Sequence, residues 1–264
     1  MRTLKVLAIA ALVSGCAVST QQEVEMGAGY AQQINKELPL IQDAELNRYI
    51  NVLGDSIARI ADSRNLDWQF FIVDSKDVNA FAVPGGFIYI NRGLIERAQN
   101  LSQVAGVLGH EVGHVTMRHS VRQMQKAQGA NVGLTAVCVL TNICNNELSN
   151  AAIGLGANAA FANFSRQDED EADAEGVTYM VRAGIDPTGI PEMFQILLSE
   201  RESKPGALDT WFRSHPLEES RIAAARARIA KLPPESLKGL TKDSPNFQAF
   251  KARIAALPPS PPSR

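Results

Sequence analysis

His110-Glu111-Val112-Gly113-His114 is the stretch of sequence that decides the fold of this chain. It lies inside a predicted helix that opens with the capping pair Asn100 and Gln103, presents an apolar face and runs to about Lys126. Positions i and i+4 share one face of a helix, so both imidazoles can reach one metal ion. Glu111 follows the first histidine directly, where its carboxylate can reach a water on that metal. The pattern therefore predicts a metal centre with a general base beside it.

A third metal ligand must come from elsewhere in the chain, because a catalytic zinc site normally holds three protein ligands. His119 lies five positions after His114, which on a continuous helix turns it to a different face, and we predict a polar surface residue there. The best source is the acidic run Asp168–Glu175 at the start of another predicted helix. Spacing alone does not choose between three of its members: Glu169, Glu171 and Asp173. An acidic, solvated helix start is the alternative interpretation of the run.

Two glycines, Gly109 and Gly113, flank the centre of the motif. Each lowers helix propensity by about 1 kcal/mol relative to alanine. That cost is easier to understand if another backbone, or a substrate, approaches the helix there. Both explanations remain open at this point.

A small sheet is predicted ahead of the motif. Asp43–Arg64 carries apolar residues at three- and four-residue steps, which is typical of an amphipathic helix. Trp68–Asp74 is short, aromatic and β-branched, and indicates a strand. Val78–Val83 and Phe87–Asn91 flank a Pro-Gly-Gly turn and indicate a pair of strands. We expect the edge formed by Phe87–Asn91 to accept an extended polypeptide by strand addition.

Helices are predicted to dominate the rest of the chain. One is capped by Ser165 and Asp168 and ends near Gly184. Others are expected over residues 188–202, 216–232 and 247–257. The segment 127–165, between the motif and these helices, contains one charged residue, Glu147. We predict that it forms a loop or short helical hairpin, which either covers the cleft as a lid or contacts a membrane.

The N-terminus indicates a bacterial lipoprotein. Arg2 and Lys5 precede the apolar run Val6–Val13, which is too short to span a bilayer as a mature helix. Val13-Ser14-Gly15-Cys16 then resembles a lipobox, in which the cysteine is lipidated after cleavage just before it. An ordinary signal peptide, or a buried first helix, is the alternative. Ala17 and Val18 replace the aspartate that commonly retains such proteins at the inner membrane, so we expect an outer-membrane lipoprotein that faces the periplasm.

The predicted organisation has four parts: a lipoprotein signal peptide at 1–15, a lipidated tether and entry segment at 16–40, the catalytic domain at 41–257 and a disordered tail at 258–264. An oxidising compartment would allow Cys138 and Cys144, six positions apart, to form a disulfide, and two buried free thiols are the alternative. We do not interpret these cysteines as zinc ligands, because no further thiolate is available to complete such a site.

Composition excludes several classes of protein. The 264 residues are 45% hydrophobic and 20% charged, which excludes a disordered or fibrous chain. Lys and Arg total 26 and Asp and Glu total 28. Such a near balance provides no basic surface for nucleic acid, so no nucleic-acid partner is expected.

The motifs together resemble metallopeptidase family 48, which includes HtpX, the CAAX prenyl endoproteases, Oma-type proteases and BepA-like lipoproteins. The family's E-x-x-x-D pattern is matched by Glu169 and Asp173, which begin 55 residues after His114. Asn79-Ala80-Phe81-Ala82 is similar to the strand that precedes the family's zinc helix. Ser214-His215-Pro216, with Arg221, resembles a later element of the family. The resemblance covers about residues 27–232 and is greatest to short, repeat-free periplasmic lipoproteins of the BepA/YggG type.

This resemblance implies a fold class and a set of residue roles. The expected fold is α+β, a mainly helical zincin-like (gluzincin) metalloprotease domain with a small β-sheet beside the HExxH helix. One Zn²⁺ per chain would be held by His110, His114 and Glu169, and Asp173 would orient a ligand imidazole. Glu111 would take a proton from the attacking water and return it to the leaving amine.

The roles of two further residues stay open at this point. His215 could assist the oxyanion, occupy the open zinc position in a resting state, or have packing value only. Arg221 could contact substrate carbonyls or pair with neighbouring acids.

The expected function is hydrolysis of peptide bonds in misfolded or unassembled envelope proteins. The substrates that this resemblance implies are unfolded or misfolded outer-membrane proteins, with the outer-membrane assembly machinery as partner and the lipid on Cys16 as membrane anchor. The alternative is a chaperone-like periplasmic lipoprotein whose protease site is latched or vestigial.

Overall fold

The structure is a computed structural model that describes residues 18–126, 164–203, 209–216 and 219–261. The predicted signal peptide, the three cysteines and residues 127–163 lie outside the described residues. Among the helices that are described, none is both long and apolar enough to cross a bilayer. The elements in chain order are α1 (Thr20–Glu37), α2 (Ala44–Ala61), β1 (Gln69–Val73), β2 (Ala80–Val83), β3 (Phe87–Asn91), α3 (Arg92–Arg97), α4 (Leu101–Thr116), α5 (119–126), α6 (Arg166–Arg182), α7 (Gly189–Ser203), α8 (Asp209–Ser214), α9 (Glu219–Ala230), a 3₁₀ turn (Pro234–Leu237) and α10 (Pro245–Ala255).

The three strands form one mixed sheet in the order β1-β3-β2. β3 pairs in parallel with β1 and antiparallel with β2, across a turn in which Gly85 and Gly86 adopt positive φ angles of 87° and 102°. Both neighbours of β3 are therefore strands, so the prediction that Phe87–Asn91 forms an edge is wrong. The edges are β1 and β2, and residues 39–41 already bond to the outer side of β1 through Ile41 N–H to Ile72 and Asp74 N–H to Pro39.

Every residue of β3 is buried, because its side chains alternate between the two faces of the sheet and both faces are covered. One face of the sheet, with Phe70, Ile88 and Ala80, belongs to the main core shared with the helices. The other face carries the stacked rings of Phe71, Tyr89 and Phe81, and α1 packs on it. Because β3 is covered on both faces, its sequence is apolar without alternation from Phe87 to Ile90.

Helix α1 corrects the predicted tether. Residues 17–40 were expected to be a polar tether that leads into a first helix, but Thr20–Glu37 is itself an 18-residue helix whose start is fixed by a capping box between Ser19 and Gln22. It buries Glu23, Gly27 and Ala31. The buried carboxylate of Glu23 pairs with Arg64 at 2.9 Å and with Arg118 at 2.7 Å. The segment is therefore part of the folded domain.

The other end of the chain is also more ordered than predicted. The carbonyl of Pro258 accepts a 2.6 Å hydrogen bond from Arg92, and the hydroxyl of Ser260 donates one of 2.7 Å to Asp74. Two residues of the predicted disordered tail, Pro258 and Ser260, therefore contact the folded domain.

The predicted long helix from Asn100 to Lys126 is broken after Thr116. Asn100 caps α4 as expected, but α4 ends at Thr116 and Arg118 adopts a left-handed conformation with φ of 57°. The break redirects the chain before α5. Non-glycine residues adopt this conformation at a cost of about 1–2 kcal/mol, and the hydrogen bonds of Arg118 to Glu23 and to the carbonyl of Val18 hold it there.

Candidate active site

Two packed helices position the candidate site. α4 carries His110, Glu111 and His114, and α6 carries Glu169 and Asp173. The start of α6 is fixed by a capping box in which the Ser165 hydroxyl accepts from the Asp168 N–H and Asp168 accepts from Ser165, as the sequence predicted.

The close approach of these helices explains the glycines of the motif. A Cβ built on Gly113 would lie 3.0 Å from the carbonyl oxygen of Ala172, and one built on Gly109 would lie 3.5 Å from Gly176. Of the two explanations left open by the sequence, the structure therefore supports the approach of another backbone.

Four buried side chains converge at this contact: His110, His114, Glu169 and His215 each offer one ligand atom, and all these atoms lie within 4.8 Å of one another. The Nε2 atoms of His110 and His114 are 3.0 Å apart. His215 Nδ1 lies 3.3 Å from His110 Nε2 and 3.1 Å from Glu169 Oε1, and the latter is 3.3 Å from His114 Nε2. A tetrahedral ion with bonds of about 2.0–2.1 Å, which are typical of zinc, holds its ligand atoms about 3.3 Å apart. The separations fit such an ion.

The charges of the site also fit a divalent cation. Glu111, Glu169 and Asp173 are at most 1% exposed, and the guanidinium of Arg221, which is 9% exposed, pairs with Glu169 and Asp173. In the metal-binding protonation state, with three ionised carboxylates, one guanidinium and neutral histidines, the buried net charge is −2. Since an uncompensated buried charge is costly, an ion of charge +2 is the chemical complement of this cluster.

Glu111 lies beside the ligand cluster and makes no side-chain hydrogen bond within the described part of the chain. Neither of its carboxylate oxygens has a hydrogen-bond partner among the described residues, and His215 Nε2 lies 3.4 Å from its Oε1. Burial raises the pKa of the Glu111 carboxyl. A buried, unbonded carboxylate of raised proton affinity can accept a proton from a water held beside it.

Asp173 and Arg221 hold the first histidine in place. His110 Nδ1 lies 2.8 Å from Asp173 Oδ1, so its proton is on Nδ1 and its Nε2 lone pair points to the other ligands. Arg221 donates to both oxygens of Asp173, at 2.7 and 2.8 Å, and lies 2.6 Å from Glu169 Oε2. Burial opposes the charged form of Glu169, but the charges of His215 and Arg221 hold the pKa of its carboxyl well below the usual value. Of the two roles expected for Arg221, the structure has the ion pair.

His215 lies directly after the short helix α8 rather than at the start of α9. Its ring stacks on Trp211, with centroids 4.6 Å apart, and its Nδ1 and Nε2 face Glu169 and Glu111 respectively. Burial alone would lower the pKa of the His215 imidazole, but these two carboxylates raise it. The ring occupies the space between the ligand cluster and the carboxylate of Glu111.

His119 is the principal residue that the sequence placed wrongly. It is fully buried rather than a surface residue, because the break at Arg118 turns it back toward the motif, where its Nδ1 lies 2.8 Å from His114 Nδ1. Burial lowers the pKa of the His119 imidazole. Glu171, the third acid that spacing left open, faces His119 and not the ligand cluster.

Two aromatic residues of the site were also missed. Phe164 stacks on the His114 ring at 3.9 Å between centroids, and Trp211 stacks on His215. Neither lies in a motif. Their positions adjacent to predicted site elements, one residue before the Ser165 cap and four before His215, are the only signal that the sequence offered.

Comparison with known proteins agrees with this geometry. Residues 43–229, more than half of the chain, match the sequence profile described as "Peptidase family M48". The chain belongs to peptidase family M48. The family predicted from the motifs is therefore confirmed, and so is the fold class, a mainly helical metallopeptidase domain with a small mixed sheet. Membership in this metallopeptidase family implies a metal cofactor, which the four-residue cluster could hold.

The relatives of this M48 chain include bacterial and mitochondrial proteases. The beta-barrel assembly-enhancing protease of Escherichia coli (strain K12) is 34% identical over 253 residues, covering 92% of this chain and 50% of that protein. Metalloprotease LoiP of the same organism is 30% identical over 186 residues, 70% of this chain and 69% of LoiP. The mitochondrial metalloendopeptidase OMA1 of Schizosaccharomyces pombe is 24% identical over 208 residues, 77% of this chain and 59% of OMA1. The chain spans about half the length of the beta-barrel assembly-enhancing proteases that it matches.

Proposed function

We propose that this M48 protein is a zinc-dependent endopeptidase that hydrolyses misfolded or unassembled proteins of the bacterial envelope. The observation that carries the proposal is the set of buried donor atoms at tetrahedral separations, with the unbonded carboxylate of Glu111 beside it. His110, His114 and Glu169 are the proposed zinc ligands. When bound there, zinc would supply a Lewis acid that polarises a peptide carbonyl and acidifies water.

The residues of the chain have separate tasks in this proposal. The carboxylate of Glu111 takes the proton of the attacking water and gives it to the amine of the departing peptide, since its burial raises its affinity for that proton. The carboxylate of Asp173 holds the proton of His110 on Nδ1, which keeps Nε2 free as a ligand. Arg221 keeps Asp173 and Glu169 ionised and fixed in position.

We propose that His215 is a fourth ligand in a closed resting state rather than an oxyanion donor. Its Nδ1 lies at ligand spacing from His110 and Glu169, and its ring separates the cluster from Glu111, where the attacking water must stand. Hydrolysis therefore requires the His215 ring to leave this space. Replacing His215 by Ala should raise turnover, whereas an oxyanion donor would lose turnover on the same change.

The substrate is proposed to add as a strand to β2. Among the described residues this strand pairs with β3 on one side only, and it packs against α4, the helix that carries His110, Glu111 and His114. Backbone pairing is largely independent of sequence and suits the cleavage of unfolded chains.

The cellular role is proposed from the relatives. The name beta-barrel assembly-enhancing protease, with the predicted lipobox at Cys16, supports an outer-membrane lipoprotein that faces the periplasm and works with the assembly machinery of outer-membrane proteins. A disulfide between Cys138 and Cys144 and a lid or membrane contact from residues 127–165 stay predictions.

A second candidate function is binding without hydrolysis, as a chaperone-like lipoprotein. The observation that favours it is the burial of all four ligand residues, each at most 1% exposed, with His215 closing the site. Zinc content does not separate the two candidates, but turnover does.

The test is cleavage of an unfolded protein by the purified, zinc-loaded whole chain beside its Glu111→Gln variant. We expect one zinc per chain in both, and chelator-sensitive cleavage by the parent alone. Equal cleavage by the variant would exclude Glu111 as the base. Zinc binding with no cleavage by either the parent or a His215→Ala variant would favour the chaperone-like function.

A further inference from the structure

His114 has a hydrogen-bonding partner, His119, on the side of its ring that faces away from the ligand cluster, as His110 has in Asp173. His119 is fully buried, and its Nδ1 lies 2.8 Å from His114 Nδ1, the ring nitrogen that faces away from the ligand cluster. The other ring nitrogen of His119 lies 3.2 Å from Glu171 Oε2. That same oxygen accepts a 2.8 Å hydrogen bond from Arg122. A chain of contacts therefore runs from Arg122 through Glu171 and His119 to His114.

Ligation at His114 Nε2 would fix the direction of every proton in this chain. An imidazole that gives the lone pair of Nε2 to a metal carries its proton on Nδ1. His114 Nδ1–H then donates to His119 Nδ1, so the proton of His119 must lie on Nε2. From there it is donated to Glu171, an acceptor-only carboxylate that Arg122 keeps charged. Each group in the chain has one compatible hydrogen-bonding role.

We propose that His119 is a positioning residue that fixes the ring orientation and tautomer of His114 for metal binding. The inference rests on the proposed function, in which His114 is a zinc ligand. Asp173 holds His110 in the same way, with a carboxylate in place of an imidazole and Arg221 in place of Arg122. Phe164, stacked on the His114 ring, holds its plane but offers no acceptor for its proton. His119 supplies that acceptor.

The residues around His119 argue against a second metal site there. His119, Asp168 and Glu171 offer ligand atoms close together. However, Arg122 Nη2 already lies 2.9 Å from Asp168 Oδ1 and 2.8 Å from Glu171 Oε2. A metal at that place would face the guanidinium at short range. Asp168, Glu171 and Arg122 therefore hold His119 in position without a metal ion.

The two ring nitrogens of His119 can be tested separately. The side-chain oxygen of asparagine falls where Nδ1 of histidine lies, so His119→Asn keeps an acceptor for His114 and loses the contact to Glu171. Glutamine reaches the position of Nε2, so His119→Gln keeps the contact to Glu171 and loses the acceptor. Val121→Ala is the packing control, because Val121 is buried in the same helix.

The measurement is the zinc dissociation constant of the whole chain by competition with a chromophoric chelator, with the unfolding temperature of the metal-free protein alongside. Loss of an outer partner typically weakens metal binding by about 10–100-fold. We expect that weakening for His119→Gln, and affinities within about threefold of wild type for His119→Asn and Val121→Ala, although the control unfolds at a lower temperature.

Two results would overturn the inference: a Gln variant that binds zinc as tightly as wild type, or an Asn variant weakened as much as the Gln variant. A wild-type chain that binds no zinc would instead refute the proposed function, and the inference with it. The two failures are therefore distinguishable.

Discussion

Adding one methyl group to either of two glycines in α4 should affect stability differently: a gain at Gly109, and no gain or a loss at Gly113. Gly109 and Gly113 are one helical turn apart and both face α6. A Cβ at Gly109 meets its nearest neighbours, Cα and O of Gly176, at 3.5 Å, an ordinary van der Waals distance. A Cβ at Gly113 meets the carbonyl oxygen and Cα of Ala172 at 3.0 and 3.1 Å. Those atoms are backbone, so α6 itself must move.

The magnitudes follow from these distances. Alanine in place of glycine inside a helix gains about 1 kcal/mol. Gly109→Ala should keep that gain and raise the unfolding temperature by about 2–4 °C. At Gly113, overpacking of about 1–3 kcal/mol opposes the gain, so Gly113→Ala should be neutral or destabilising by up to about 2 kcal/mol. Because Ala172 lies between Glu169 and Asp173, the same displacement should also weaken zinc binding.

The assay is thermal unfolding of the metal-free whole chain, followed by zinc titration against a chelator. Gly109→Ala serves as the matched control, since it makes the same chemical change on the same face. If Gly113→Ala were stabilised as much as Gly109→Ala and bound zinc with unchanged affinity, the claim that the two helices are in backbone contact at the site would be refuted.

Three further predictions test other parts of the structure. Glu23→Gln should destabilise the protein by about 3 kcal/mol in denaturant unfolding, because it leaves Arg64 and Arg118 without their buried carboxylate. A loss of stability below about 1 kcal/mol would contradict the role of α1 as part of the domain. Asp173→Asn should weaken zinc binding by about 10–100-fold in chelator competition, and unchanged affinity would remove Asp173 from the site. The hydrogen bond from Arg122 lowers the pKa of Glu171 from 4.5 to about 2. A carboxyl whose pKa is lower in the folded state stabilises the fold fully above its unfolded pKa and loses that contribution as the pH falls through the folded pKa. The difference in unfolding temperature between wild type and Glu171→Gln should therefore shrink as the pH falls from 4.5 towards 2. A difference that grows over this range would contradict the assignment.

Local patterns predicted those parts of the fold that depend on neighbouring residues. The HExxH spacing, the Ser165 cap of α6 and the Pro-Gly-Gly turn each depend on residues within a few positions of one another, and the structure has all three. The E-x-x-x-D pattern, read through the family resemblance, pointed to Glu169 and Asp173, which the structure brings to the two histidines.

Contacts between distant residues caused the errors. The break after Thr116 depends on a left-handed arginine held by Glu23, about a hundred positions earlier in the chain, and helical periodicity carries no signal of it. The assumption of one continuous helix then led to the wrong prediction that His119 lies on the surface. Similarly, the order β1-β3-β2 is a matter of pairing, and a strand's own sequence does not state whether it lies at an edge.

The central claim is that a zinc site closed by His215 hydrolyses peptides with Glu111 as its base. The most direct measurement compares the zinc-loaded whole chain, His215→Ala and the double variant Glu111→Gln/His215→Ala on one unfolded protein. We predict that His215→Ala cleaves faster than wild type, and that the double variant retains zinc but does not cleave. Cleavage by the double variant at the rate of His215→Ala would contradict the assignment of Glu111.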